Sequence, residues 1–314
     1  MEYLNFCEKV KLKLQELVEE GATVRIQKVL KNNNVVRYAA IITERNSRIS
    51  PSIYLENFYS DYINGRSLSD VCEEVLNLHN KHKDGVSFNF DDYFNYDYVK
   101  DKLYIKIINK SKNEEFLKGV PYKEFFDLAV ICYISLEEAE NGHATITVNN
   151  RNLEIWNVTK EHVFETAFNN SYENMPPTLE KMTTVMRNLL IEKAGTIYSD
   201  EVGEQIDNVI EMMEKNSDYD IYVLTNSIRL NGAHYITDED YLVDFANSVN
   251  SDLYILPSSI HELLIIPMSC GLKKEELIKM VRDINSTELS QGEVLSDNIY
   301  EVYRDRGICM WECT

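Results

Sequence analysis

The sequence predicts an α+β protein in which helices cover mixed, mostly antiparallel sheets. Three observations lead to this prediction: short β-rich runs bounded by Asn or Gly turns, stretches of helical periodicity between them, and only 11 Gly and 6 Pro in 314 residues. So few breakers leave no long flexible linker, and a chain of this length holds about two domains. We therefore predict two closely packed modules, residues 1–118 and 119–314. The second carries a helical insertion near residues 178–215, interrupted at Gly195.

The first predicted elements are a helix and a hairpin. Apolar residues recur at helical spacing over Leu4–Glu20, and Gly21 follows as a typical helix stop. Two β-rich runs, Thr23–Leu30 and Val35–Thr43, flank the turn segment Lys31–Asn34. Because asparagine tolerates left-handed backbone conformations, this pattern predicts a β-hairpin.

Three further segments complete the N-terminal module. A short strand is predicted within Pro51–Leu55, and the capping-box spacing of Ser67–Asp70 predicts a helix after it. The segment Phe88–Tyr104 interleaves aspartates with aromatic residues. Nucleic-acid platforms combine aromatic residues with Lys and Arg, so we predict instead a loop and helix whose rings pin it to the core.

The C-terminal module begins with a strand–strand–helix unit. Residues 127–136 and 144–148 are β-rich and flank Asn141-Gly142, and Asn-Gly between such runs is a strong hairpin signal. The unit is completed by a predicted strand over Leu153–Trp156 and a predicted helix over residues 159–170.

A second unit in the last third has the same predicted order. Strands at residues 221–225 and 233–236 flank Asn231-Gly232, and residues 237–240 cap a helix over 241–249. The shared order of residues 125–170 and 219–250 suggests an internal duplication, which a common sheet topology would support. The remaining predicted elements are strands at 252–256, 261–266, 299–303 and 308–311 and a helix over 273–283.

Charge and cysteine usage limit the partners and the compartment. With 52 acidic and 32 basic residues, the formal net charge is −20, and such a chain is repelled by nucleic acids and anionic membranes. No long Lys/Arg run opposes this, so we predict a basic protein partner and no direct nucleic-acid or membrane binding. The six cysteines form no Cys-x-x-Cys pair, and neither a signal peptide nor a membrane span is evident. We therefore predict a cytoplasmic protein without a metal or cofactor.

Catalytic signatures are sparse. Phosphate-binding, dinucleotide-binding and nucleophile-elbow motifs are missing. The densest group is the block Leu-Pro-Ser-Ser-Ile-His-Glu at residues 256–262, in which Ser259 and His261 are residue types of a hydrolase pair. In a strand, however, His261 and Glu262 point to opposite faces, so the carboxylate cannot orient the imidazole. We therefore favour a structural turn here, with a hydrolase centred on Ser259 and His261 as an alternative.

The other candidate site is electrostatic. Between Tyr198 and Asp240, eleven acidic residues face two basic ones. Five carboxylates spaced by three or four residues share one helical stripe, formed by Glu201, Glu204, Asp207, Glu211 and Glu214. The stripe is either a solvated helix face or a docking surface for a basic partner. A non-enzymatic binding protein is therefore the preferred function, and an acidic DNA mimic or inhibitor of a nucleic-acid-binding protein is the alternative.

Five segments along the chain resemble a known family. They are residues 50–56, 153–159, 222–226, 254–262 and 294–297. In this order they resemble a bacterial family carried under a domain-of-unknown-function label and common in intestinal anaerobes. The resemblance extends from about Phe6 to Trp311, and the block at 256–262 is its most specific part. It implies one continuous architecture and a cytosolic setting, and it assigns no catalytic residue.

Overall fold

The computed structural model describes residues 2–45, 50–82, 92–136, 145–257 and 259–311. The helices are α1 (Glu2–Leu17), α2 (Glu56–Ile63), α3 (Leu68–His82), α4 (Tyr96–Val99), α5 (Glu114–Leu117), α6 (Asn150–Trp156), α7 (Lys160–Asn174), α8 (Met182–Ala194), α9 (Asp200–Asn216), α10 (Glu239–Ser248) and α11 (Lys274–Thr287). The strands are β1 (Thr23–Leu30), β2 (Val36–Thr43), β3 (Ile53–Tyr54), β4 (Leu103–Asn109), β5 (Tyr122–Phe125), β6 (Leu128–Ser135), β7 (Thr145–Thr147), β8 (Pro177–Lys181), β9 (Tyr222–Asn226), β10 (Leu253–Leu256), β11 (Leu263–Pro267), β12 (Ile299–Tyr303) and β13 (Gly307–Trp311).

The N-terminal hairpin is confirmed, and it forms a three-stranded antiparallel sheet in the order β1-β2-β3. Its turn is a short 3-10 helix at Asn32–Asn34 in which Asn33 has a left-handed φ of 58°. Helices α1, α2 and α3 supply apolar side chains to the core on one face of this sheet. The predicted cap of α3 is also present, since Ser67 Oγ accepts a hydrogen bond from the backbone N–H of Asp70 at 3.1 Å.

A second sheet is built around β6. Strand β4 pairs along β6 on one edge, while β5 and β7 pair with successive parts of β6, all antiparallel. The predicted pairing of the strands around Asn141-Gly142 is confirmed by β6 and β7, although this turn lies outside the described residues. Helix α7, which begins at the cap Thr159, packs Val163 and Phe164 into the core of this sheet.

The third sheet has six strands in the order β13-β12-β10-β11-β9-β8, and its described pairings are antiparallel. One face, which includes Leu253 and Ile255, shares a single core with the β6 sheet. The opposite face, which includes Tyr254 and Leu256, packs against α11 and the start of α8. The α+β class is therefore confirmed as antiparallel sheets packed against helices.

The predicted module boundary at residue 118 falls inside the β6 sheet, because β4 pairs with β6 across it. The buried apolar clusters divide the chain at a different position. One cluster runs from Phe6 to Val75, and the core shared by the two larger sheets begins at Val99. The two-module division stays a prediction, and these clusters favour a boundary between residues 82 and 99.

A polar network joins the two larger sheets. The carboxylate of Asp127, in the turn between β5 and β6, accepts hydrogen bonds from Ser296 Oγ at 2.6 Å and Asn298 Nδ2 at 3.0 Å. It also accepts one from the hydroxyl of Tyr300, which is fully buried. Burial and the Asp127 charge hold the pKa of Tyr300 well above its ordinary value, so the phenol remains a donor.

The prediction of a strand over Leu153–Trp156 is wrong, because these residues belong to α6. Asn149 Oδ1 accepts from the N–H of Asn152, and Asn152 Oδ1 accepts from the N–H of Asn149. This reciprocal cap starts a helix, and Asn157 ends it with a left-handed φ of 52°. The spacing of the two asparagines was the available signal, and the apolar pattern of the segment hid it.

We expect the replacement Asn149→Ala to lower the free energy of unfolding by about 1 kcal/mol, because it removes this cap. Urea denaturation followed by fluorescence measures the loss, and Trp156 lies in α6 itself. The control Asn208→Ala changes an exposed asparagine of α9 and should stay within about 0.5 kcal/mol of the unchanged protein. Equal stabilities for the two variants would contradict a role for the cap.

The prediction of a strand at residues 233–236 is also wrong, because Gly232–Thr237 is a 3-10 helix. Strand β9 already pairs with β8 on one edge and β11 on the other, so no edge remains for a hairpin partner. The second unit therefore lacks the hairpin of the first, and the duplication hypothesis is not supported.

The helical tract at 178–215 is confirmed in part. Helices α8 and α9 are separated at Gly195 as predicted, but residues 177–181 form the edge strand β8. An edge position suits Pro177, which lacks an N–H for a ladder.

The described part of the aromatic segment agrees with the prediction in part, since Leu103 and Tyr104 already belong to β4. Tyr93 and Tyr96 pack against Trp156, and Trp156 Nε1 donates to the carbonyl oxygen of Tyr93 at 2.8 Å. Phe94 and Tyr98 are exposed, and residues 88–91 lie outside the described residues.

Candidate functional site

The Leu-Pro-Ser-Ser-Ile-His-Glu block ends β10 and forms the loop that leads into β11. Pro257 and Ser259 are buried, while Ser258 lies outside the described residues. The backbone N–H of Ser259 donates to the carbonyl oxygen of Glu262 at 3.2 Å. The N–H of His261 donates to Ser259 Oγ at 3.0 Å. These two hydrogen bonds close the loop as a tight turn.

The imidazole of His261 faces a backbone donor. The ring Nδ1 accepts a hydrogen bond from the N–H of Asn231 at 3.1 Å. The backbone carbonyl oxygen of His261 accepts one from Thr225 Oγ1 at 2.8 Å. Burial lowers the pKa of His261; the charge of Glu293 opposes this shift and that of Lys106 adds to it. The imidazole is therefore held neutral with its proton on Nε2.

The loop is seated closely against the start of the 3-10 helix. A side chain at Gly232 would place its Cβ 2.5 Å from Thr225 Oγ1, 2.7 Å from the backbone nitrogen of Asn226 and 2.8 Å from the carbonyl oxygen of His261. Only glycine allows this approach, so the 3-10 segment and the loop are packed as one unit.

The arrangement does not assemble a nucleophile and a base. The contact of Ser259 Oγ is the backbone N–H of His261, and in the described part of the chain no hydrogen bond joins this oxygen to the imidazole. A neutral ring that carries its proton on Nε2 has no free nitrogen to act as a general base. Burial also raises the pKa of Glu262, with Arg229 opposing. The geometry favours a structural turn.

The predicted acidic stripe lies on the exposed surface of α9, and three of its five carboxylates have partners. Arg187 Nε donates to Asp207 at 2.6 Å, and this contact holds the pKa of Asp207 below its ordinary value. Lys215 contacts Glu211 at 2.5 Å, and Thr183 Oγ1 donates to Glu214 at 2.9 Å. Among the described residues, Glu201 and Glu204 have no hydrogen-bonding or ion-pair partner. The stripe is thus partly neutralised within the helical hairpin α8–α9.

The same hairpin carries an apolar surface that the sequence analysis missed. Val209 and Met212 are 49% and 63% exposed. They line a groove of about 620 Å³ between α9 and the following segment, together with Met213, Tyr219 and Ile221. A second groove of about 420 Å³ shares Met213 and continues to Met182. The available signal was the spacing of Val209 and Met212, which places them on the flank of α9 away from the acidic stripe.

The described residues contain neither a group of three His, Cys, Asp or Glu side chains suited to a metal ion nor a helix that could span a membrane. A family model described as a family of unknown function (DUF5688) matches residues 3–304. Comparison with curated proteins and with solved structures gave no match.

Proposed function

The chain belongs to the DUF5688 family, whose function is unknown, and we propose that it acts as a non-enzymatic binding protein. Its docking surface is the α8–α9 hairpin with the groove lined by Val209 and Met212. The occupant is a basic amphipathic helix of a partner protein. The observation that carries the proposal is that carboxylates line these apolar grooves, namely Asp218 in the first and Glu214, Asp218 and Asp220 in the second.

The apolar part of the surface would contribute binding energy to a complex with the partner. Exposed methionine side chains are flexible and polarizable, and they are typical of surfaces that accept helices. Met212 and Val209 lie side by side on α9, and Met213 connects the two grooves. Burying them under a partner would remove this surface from water.

The charged part supports the choice of a basic partner. Between Met182 and Asp220, nine acidic residues stand against three basic ones. Glu201, Glu204 and Asp218 are exposed carboxylates of this hairpin and of the segment after it, and Asp218 also lines the groove. Complementary charge would speed association and align a basic helix on the groove.

We also propose a cytoplasmic location. Cys7, Cys72 and Cys132 are buried as free thiols in the cores, and burial raises the pKa of Cys72 to about 11. Buried thiols of this kind are typical of proteins from a reducing compartment.

Fluorescence anisotropy tests the proposed function with a labelled synthetic peptide in which Leu and Lys repeat at helical spacing, so that they form the two faces of an amphipathic helix. We expect the full chain to bind this amphipathic helix at about 50 mM NaCl and to lose at least about tenfold affinity at about 0.5 M. The double variant Val209→Ser/Met212→Ser should weaken binding by about tenfold, because it removes the apolar contact.

A matched pair of double variants tests the role of charge. Glu201→Gln/Glu204→Gln should weaken binding by about threefold at low salt, whereas Glu161→Gln/Glu165→Gln on the exposed surface of α7 should not. Equal binding by all variants would reject the α8–α9 surface. A response to the glutamine pair without any response to the serine pair would favour the DNA-mimic alternative.

A further inference from the structure

Three cations lie where the N-terminal hairpin approaches the β6 sheet. Lys31 and Arg37 share the ring of Tyr54, and Lys106 lies on β4, which the turn after Lys31 contacts. Lys106 and Arg37 are half-buried, and Lys31 is exposed. Within the described ranges, none of the three lies at ion-pair distance from a carboxylate. This is unusual in a chain with a net charge of −20, where acidic partners outnumber basic ones.

Aromatic rings take the place of carboxylates. Lys31 Nζ lies 4.5 Å and the Arg37 guanidinium 5.6 Å from the ring centre of Tyr54. Lys106 Nζ lies 5.7 Å from the ring centre of Tyr133. The electron-rich face of an aromatic ring attracts a cation, but the ring is neutral and leaves the positive charge uncompensated.

Hydrogen bonds of asparagine side chains hold the turn after Lys31 beside β4. The backbone N–H of Asn33 donates to Asn113 Oδ1 at 2.8 Å, and Asn113 Nδ2 donates to Asn33 Oδ1 at 3.0 Å. Asn32 Nδ2 donates to the carbonyl oxygen of Gly292 at 2.7 Å. The turn that follows Lys31 is therefore held against two distant parts of the chain.

The titration of Lys106 agrees with this placement. Burial, and then the positive charge of Lys31, lower the pKa of Lys106 to about 8. The charges of Glu293 and Lys106 both act on the pKa of the neutral His261 imidazole. A half-buried ammonium group that is repelled by a neighbouring lysine is costly to maintain without a counter-ion.

We propose that Lys31, Arg37 and Lys106 form a binding site for a small anion that carries two or more phosphate groups. Such a ligand would supply the missing negative charge to all three cations at once. Arginine and lysine are the side chains that bind phosphate oxygens, arginine through its planar fork and lysine as a point charge. This site is separate from the α8–α9 groove, so the inference does not depend on the proposed function.

Isothermal titration calorimetry of the full chain with pyrophosphate and with ADP tests this site. We expect a dissociation constant below about 1 mM at low ionic strength for at least one probe. Lys106→Met should weaken binding at least about tenfold, since it removes a half-buried charge. The control Lys118→Met changes an exposed lysine that pairs with Glu115 and should leave the affinity unchanged.

A second variant and a stability measurement keep the test independent of folding. Lys31→Met alters an exposed side chain and should weaken binding about threefold or more. Pyrophosphate should raise the melting temperature of the unchanged protein but not that of Lys106→Met. Tighter binding of ADP would identify a nucleotide as the ligand, and equal binding would show that the phosphates suffice. Absence of heat with both probes, or full affinity in both methionine variants, would overturn the proposal.

Discussion

Replacing Asp127 by alanine is expected to lower the free energy of unfolding by about 4 kcal/mol. The carboxylate accepts hydrogen bonds from Ser296, Asn298 and Tyr300, and hydrogen bonds to a charged group contribute about 1.5–3 kcal/mol each. The alanine variant also leaves the Tyr300 hydroxyl buried without an acceptor, which adds a desolvation cost. Chemical denaturation of the full chain measures the loss.

Two matched variants separate the parts of this effect. Asp127→Asn keeps the shape and removes the charge, so we expect a smaller loss of about 2 kcal/mol. Tyr300→Phe removes a single donor, and combining it with Asp127→Ala should cost less than the sum of the two changes. Strict additivity, or a loss below about 1 kcal/mol for Asp127→Ala, would show that this network does not join the two sheets.

Lowering the pH from 7 to 4 is expected to cost about 3 kcal/mol of stability through His234 alone. This histidine is buried in the 3-10 helix, and burial lowers its pKa from 6.5 to about 4. Its Nδ1 lies 2.8 Å from the carbonyl oxygen of Asn231, so the neutral ring donates its proton there. The ring also packs on Tyr235 with ring centres 4.2 Å apart.

The sign follows from proton binding in the two states. Below pH 6.5 the unfolded imidazole takes up a proton, whereas the folded one stays neutral until about pH 4. The unfolded state therefore binds more protons across this window, and stability falls as the pH falls. His261 adds a loss in the same direction, because burial lowers its pKa as well.

Denaturation of the His234→Gln variant at pH 7 and pH 4 isolates this contribution. The carboxylates titrate in both proteins, so the difference between the two pH dependences belongs to His234. We expect the variant to lose about 3 kcal/mol less than the unchanged protein over this range. His162→Gln, at an exposed position of α7, is the control. Identical pH dependence in the His234→Gln variant would refute the prediction.

Local signals in the sequence were sufficient for most secondary structure. Asparagines at Lys31–Asn34 predict the first hairpin, and Thr237–Asp240 predict the cap of α10, where Asp238 Oδ1 accepts from the N–H of Tyr241. Such signals work because a turn or a cap is decided by a few adjacent residues. The errors at Leu153–Trp156 and at 233–236 occur where an apolar run admits either helix or strand.

The candidate sites show the same difference between local patterns, which the sequence reveals, and contacts between distant residues, which it does not. The spacing of the five stripe carboxylates correctly places them on one exposed helix, because helical period is a local property. Their pairing with Arg187 and Thr183 depends on α8 folding back on α9, which no local pattern encodes. The structure also decides that Ser259 Oγ receives the backbone N–H of His261.

The sequence by itself determined the class of the fold, the order of most elements and the acidic character of α9. Only the tertiary structure decided which distant groups meet: Asp127 with Ser296, and Asn33 with Asn113. The physical reason is that periodicity and turn preferences act over a few residues. Hydrogen bonds and charges act through space, between positions that only packing of the sheets brings together.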